Sequence, residues 1–292
     1  MSRKRIVTAL AAAAVTAAAV VTATVVSHTG PSEAAVLPAA ATVPTFDHIV
    51  LVMFENKNNS SISGSSSAPY FNTLAAQGAQ FTSSFAITHP SQPNYVALFS
   101  GATQGVTSDA CPANLGAKAN LGQQLIDAGR TFKGYSESMP SDGYTGCVSG
   151  NYQRKHNSWV DFGNVPATSN LRYTAFPTDF TTLPTVSFVT PNMCSDMHDC
   201  SIGTGDTWLK SHLDSYAQWA KTHNSLLITT FDEDSGTSVN QIFTAFVGEH
   251  VKIGSYGESI NHYTVLRTIE ASYGLPGINN AASKSPIVDV WQ

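Results

Sequence analysis

A near-continuous apolar run, "FDHIVLVMF" from Phe46 to Phe54, stops abruptly at "ENKNNS". A short run of this kind, rich in β-branched residues, predicts a strand buried on both faces. Comparable runs follow in "PTVSFVTPN", "SLLITTFDED" and "QIFTAFVG". Between the second and third runs, Trp208, Leu209, Leu213, Tyr216 and Trp219 recur at helical spacing, with Asp206 placed to cap the helix. Strand, helix, strand in that order predicts an α/β fold with a mostly parallel central sheet. "QPNYVALFSG" reads as a further helix with proline in its first turn. The stretch from Cys111 to Phe180 is richer in Gly, Ser, Asn and Pro and predicts loops with short strands such as "TFKGYSE".

Polar residues crowd where these strands finish. "EN", "TPNMCSDMHD" and "DEDSG" each follow a predicted strand. In open α/β sheets ligands bind at the carboxyl ends of strands, so one pocket is expected to gather all three clusters.

The first forty or so residues have a different character. Arg3, Lys4 and Arg5 precede a run from Ile6 to Val26 built only of Ala, Val, Leu, Ile and Thr, the charged and apolar regions of a secretory signal. Residues 1–41 are expected to be signal and leader, residues 42–292 one domain, and the protein secreted. The competing reading is an uncleaved anchor, since the run approaches the length of a bilayer span. Charged residues are only 12% of the chain and the net charge is −5, which excludes nucleic acid as the expected partner. No stable protein partner is implied.

Four cysteines, Cys111, Cys147, Cys194 and Cys200, allow three disulfide pairings. An oxidising compartment favours two bridges. Cys111–Cys147 with Cys194–Cys200 is preferred because "CSDMHDC" can close locally; the absence of any C-x-x-C pair makes zinc binding the weaker reading.

Carboxylates and an amide oxygen that follow separate strands, Glu55 and Asn56 with Asp232, Glu233 and Asp234, read as a hard-oxygen set for one divalent cation, with Mg²⁺, Ca²⁺ or Mn²⁺ favoured, against the plainer reading of solvated turn residues at strand ends. In "THPSQPNY", Ser91 sits between Pro90 and Pro93 at the expected helix start. Such a serine is ordinarily a helix cap, but unpaired amides there also favour anions, and Asn94 would add a donor. The G-x-S-x-G elbow is absent, which argues against a lipase-type triad. A cation-activated serine needs no such elbow. His89, His156, His198 and His262 lie in polar contexts, and His156 adjoins Lys155. Together they could supply a proton donor and positive charge to a phosphoryl group.

Taken in order, "HIVLVMFEN", "THPSQPNYVALFSG", "YQRKHNSWVDF", "VSFVTPNMCSDMHDC", "GDTWL", "FDEDSG" and "HYTVLRTIEASYGLP" resemble the bacterial phosphoesterase family that contains acid phosphatases and phospholipases C. The resemblance implies a three-layer, alkaline-phosphatase-like sandwich. It implies Ser91 as nucleophile and His156, His198 and His262 as histidines near the phosphate; His198 or His156 would then protonate the leaving alcohol, with Asn94 and Lys155, read from their own context, beside the phosphate. Glu55, Asn56, Asp232 and Glu233 would hold the metal. The substrate implied is a small-molecule or lipid-headgroup phosphate monoester, with a phospholipase C or other phosphodiesterase as the second reading. The chain departs from the family at Phe231, where tryptophan is common, at Ser235 in place of aspartate, and at Gln92 in place of glutamate.

Overall fold

Alternate residues of the first strand, β1 (His48–Phe54), enter two different cores. Ile49, Leu51 and Met53 pack on one side of the sheet, and Val50, Val52 and Phe54 on the other. The period-two geometry of a strand turns an unbroken apolar run into two buried faces. This computed structural model describes residues 42–292, and the expected signal segment lies outside the described residues.

The other strands are β2 (Ala79–Phe85), β3 (Phe132–Ser136), β4 (Val148–Ser149), β5 (Tyr152–Gln153), β6 (Asn170–Arg172), β7 (Val186–Thr190), β8 (Ser225–Phe231), β9 (Thr244–Gly248) and β10 (Gly254–Asn261). The helices are α1 (Asn59–Ile62), α2 (Pro69–Gln77), α3 (Ser91–Ser100), α4 (Leu121–Asp127), α5 (Ile202–Ala220) and α6 (His262–Ser272). Eight strands form one sheet in the order β10-β2-β9-β8-β1-β7-β3-β6, and β4 with β5 forms a small hairpin. Helices α3, α4 and α6 supply side chains to the core on one face, and α2 and α5 to the core on the other. The result is a three-layer α/β sandwich.

Within the eight-stranded sheet all pairings are parallel except those of β9, which runs antiparallel to both β8 and β2. The run "QIFTAFVG" is therefore the one reversed strand of the sheet, and its order in the chain could not reveal this. The expected cap of α5 also differs: Ser201 caps that helix, while Asp206 lies within it and accepts the Tyr70 and Phe71 amides that open α2. One buried carboxylate thus ties the two helices of that layer together. Cys111–Cys147 and Cys194–Cys200 are both bonded. Among the described residues, no helix is long and apolar enough to cross a membrane.

Glu270, buried in α6, accepts the Ile278 amide at 3.0 Å, and burial pushes its carboxyl up to about 7. Because the folded value exceeds the unfolded one, the native state keeps a proton that the unfolded chain has released between the two. Glu270 therefore lowers stability progressively as pH rises through that window. Glu270→Gln is expected to raise the thermal unfolding midpoint at pH 8 and leave it unchanged at pH 4. Equal shifts at both pH values would contradict this assignment.

Candidate active site

The parallel strands all end on one side of the sheet, and five of them deliver chemistry there. β1 leads into Glu55, β2 into His89 and Ser91, β7 into Asp196 and His198, β8 into Asp232 and Glu233, and β10 into His262. Side chains separated by up to some two hundred residues meet because the sheet is parallel.

Ser91 is the first residue of α3 and is almost wholly buried. Its Oγ donates to Glu55 Oε2 at 2.9 Å and lies 3.3 Å from Glu233 Oε1. A hydroxyl has one proton, so two carboxylates compete for it. One helical turn on, the Tyr95 hydroxyl donates to Glu55 Oε1 at 2.7 Å. The i, i+4 spacing puts both hydroxyls on the face that grips Glu55.

Asn56 takes a positive φ of 55°, a conformation that asparagine tolerates better than most residues. Its amide N–H then reaches Asp232 Oδ1 at 3.0 Å, and its side-chain nitrogen reaches Glu55 Oε2 at 2.9 Å. The residue joins the ends of two strands and fixes both carboxylates.

His156 is buried and stacks on Tyr95 with ring centroids 5.0 Å apart. Its Nε2 lies 3.2 Å from Glu55 Oε1, and its Nδ1 lies 3.2 Å from Asp196 Oδ2. Glu55, His156 and Asp196 form a compact set of three potential metal donors. His156 was expected beside the phosphate as an acid. Enclosure between two carboxylates suits it better to holding a cation, while His198, partly exposed and bonded to Asp199 at 2.7 Å, remains accessible.

The electrostatics of the cluster are unfavourable for bare carboxylates. Burial, then the charges of Asp232 and Asp196, drives Glu55 well above the usual carboxylate range. Burial lifts Asp196 to about 7, and burial followed by Glu233 lifts Asp232 to about 8. Burial, with Lys155 and His198 nearby, drives His156 down. Buried atoms without a hydrogen-bond partner include His156 Nε2, Asp196 Oδ2, Asp232 Oδ2 and His262 Nδ1. Crowded carboxylates and orphaned donor atoms around Glu55, with His156 and Asp196 converging on it, are what a divalent cation would satisfy. The residues present fit such an ion.

Positive charge borders the cluster. Lys155 Nζ bonds Asp109 Oδ2 at 2.8 Å, and Lys57 Nζ bonds the Met197 carbonyl at 2.8 Å. Asp109 also accepts the Gln92 amide at 2.9 Å; although burial pulls its carboxyl up, Lys155 and that amide hold it below the usual range. The segment carrying Lys155 and His156 is anchored by Arg154, whose Nε donates to Asp161 Oδ1 at 3.0 Å. His89 Nδ1 lies 2.5 Å from Glu233 Oε2 and steadies the carboxylate on the other side of Ser91.

Two expected phosphate contacts are revised. Asn94 spends its whole amide on the preceding loop, accepting the Ile87 and Thr88 amides and donating to the Thr88 and Pro90 carbonyls. No donor is left for a phosphate. His262 Nε2 donates to the Asp232 carbonyl at 2.7 Å, which leaves a bare lone pair on Nδ1, and burial lowers its pKa to about 4. A lone pair has the wrong polarity for a phosphate oxygen.

Asp196, Tyr95, Lys57 and Asp109 join the site without having been singled out in the sequence. Asp196 lies within the flagged "SDMHD" cluster, and Tyr95 is visible only through helical spacing. Lys57 and Asp109 carry no local signal.

A model of the phosphoesterase family matches residues 64–276. A phosphatidylinositol-3-phosphatase from Mycobacterium tuberculosis is 53% identical, over 87% of this chain and 85% of that protein. An acid phosphatase from Aspergillus fumigatus is 32% identical over 74% of this chain, and the match spans only 53% of that longer protein. A solved protein of the alkaline phosphatase superfamily from Vibrio parahaemolyticus superposes with a TM-score of 0.56 at 12% identity, over 85% of this chain and 72% of that one. The fold is thus alkaline-phosphatase-like.

Proposed function

The chain belongs to the phosphoesterase family and is a phosphoric ester hydrolase, and from that premise we propose that it is a secreted phosphomonoesterase acting through a phosphoserine at Ser91. The observation that carries this reading is the Ser91 hydroxyl, held at a helix start between Glu55 and Glu233 in a cluster suited to a cation. Residues 42–292 would be the catalytic domain and residues 1–41 the signal and leader.

Ser91 Oγ attacks phosphorus in line with the leaving alcohol. Glu233, positioned by His89, is placed to take the serine proton. The Gln92 amide and Lys155 receive oxygens of the transferring phosphoryl group, and His198 protonates the leaving alcohol. Water then releases phosphate by the reverse arrangement. A divalent cation, when bound, would stabilise the Ser91 alkoxide and the charge developing on the phosphoryl group. Glu55 is common to every grouping that could hold it, with Asp232, Asn56 and Glu233 on the serine side and His156 and Asp196 on the other. An imidazole in the set admits Mn²⁺ or Zn²⁺ alongside the hard cations first expected.

The phosphatidylinositol-3-phosphatase relative supports a lipid-headgroup or small-molecule monoester as substrate. Turnover of nitrophenyl phosphate is expected to exceed that of bis-nitrophenyl phosphate by on the order of a hundredfold, since a monoester presents one more charged oxygen to the donors around Ser91. A reversed ratio would make the protein a phosphodiesterase.

A further inference from the structure

The two donors placed to receive phosphate oxygens are bridged by a carboxylate of the protein itself. Asp109 Oδ1 accepts the Gln92 N–H at 2.9 Å, and Asp109 Oδ2 accepts Lys155 Nζ at 2.8 Å. Gln92 follows the nucleophile directly and is the second residue of α3, where the amide has no partner within the helix. The α3 cap position is Pro90, which supplies no side-chain acceptor.

We propose that Asp109 is an internal stand-in for phosphate: its carboxylate fills the anion cradle at rest, yields to the incoming phosphoryl group, and returns to expel the phosphate product. The proposal rests on the reading of Ser91 as the phosphate site. The donors are more enclosed than the acceptor. Gln92 is fully buried and the Lys155 side chain is 13% exposed, whereas the Asp109 side chain is 32% exposed. Asp109 lies in an irregular segment between α3 and α4 that is held near its middle by Cys111–Cys147 and rejoins the fold where the Leu115 amide meets the Asp161 carbonyl. Rotation of one side chain therefore clears the cradle without moving the chain. With Asp109 removed, the Gln92 amide and the Lys155 ammonium would be left unpaired and would hold any tetrahedral oxyanion more tightly.

The test is titration of the metal-loaded enzyme with inorganic phosphate, for wild type, Asp109→Ala and Asp109→Asn, with unfolding midpoints and steady-state kinetics measured on the same preparations. Asp109→Ala is expected to tighten phosphate binding about tenfold, the scale of one charge-assisted hydrogen bond lost to competition, and to lower KM and kcat together as product release slows. Asp109→Asn, which keeps an acceptor but loses the charge, should fall between and guards against a folding defect in the alanine variant. Unchanged or weaker phosphate binding in both variants, with kcat/KM reduced, would mean that Asp109 only positions Lys155 and caps α3, and would overturn the proposal. Phosphate binding to none of the three proteins would instead remove the phosphate-site reading, and this inference with it.

Discussion

Replacing Ser91 with alanine is expected to reduce kcat for phosphate monoesters by at least about a thousandfold, the scale seen when a covalent nucleophile is lost. The fold should survive. Alanine keeps the helix start, and the neighbouring Glu55 retains its bonds from Tyr95 and Asn56. Circular dichroism and the unfolding midpoint check that point independently of activity. Phosphoryl label recovered on the Ser91 peptide from acid-quenched wild type should be missing from the variant. Activity within tenfold of wild type would leave Ser91 a buried hydrogen-bond donor to Glu55 at the helix start and nothing more.

Removal of divalent metal should be almost as damaging, and should act on stability as well as turnover. Glu55, Asp196 and Asp232 are buried together, and burial and neighbouring acidic charges oppose their ionisation. An ion that binds only the native state relieves that opposition and raises stability by linkage. Thorough chelation is expected to abolish phosphate release and lower the unfolding midpoint, and readdition of one divalent cation to restore both. Glu55→Gln should lose bound metal, measured by elemental analysis, along with activity. Comparing Asp232→Asn with Asp196→Asn then places the ion: the variant that binds less metal marks its side of Glu55. Full activity in chelated enzyme would mean that the acidic cluster has another purpose.

Much of this site is legible in the sequence because strand-end residues announce themselves. An apolar run that stops at a carboxylate fixes both a buried strand and where its polar end must lie, as for Glu55 and Asp232. Ser91 is legible for a related reason, since proline on either side marks a helix start. Strands toward one margin of the sheet are harder to see: β2 and β10 mix polar and apolar residues, and neither stands out as a buried run. The direction of β9 depends on the path of the chain and not on its composition. Side-chain partnerships are least visible. Asn94 looks like a phosphate donor until the loop from Ile87 to Pro90 closes around it, and His262 until its proton is claimed by the Asp232 carbonyl. Asp109 reaches Gln92 and Lys155 from a loop with no regular structure, a meeting that only the folded chain reveals.

The stereochemical course at phosphorus tests the central claim most directly. Attack by Ser91 followed by attack by water makes two in-line displacements, each inverting the phosphorus centre. Hydrolysis of an oxygen-isotope-chiral phosphate monoester is therefore predicted to proceed with net retention of configuration. Net inversion would show that water attacks the substrate directly, and would contradict the phosphoserine mechanism.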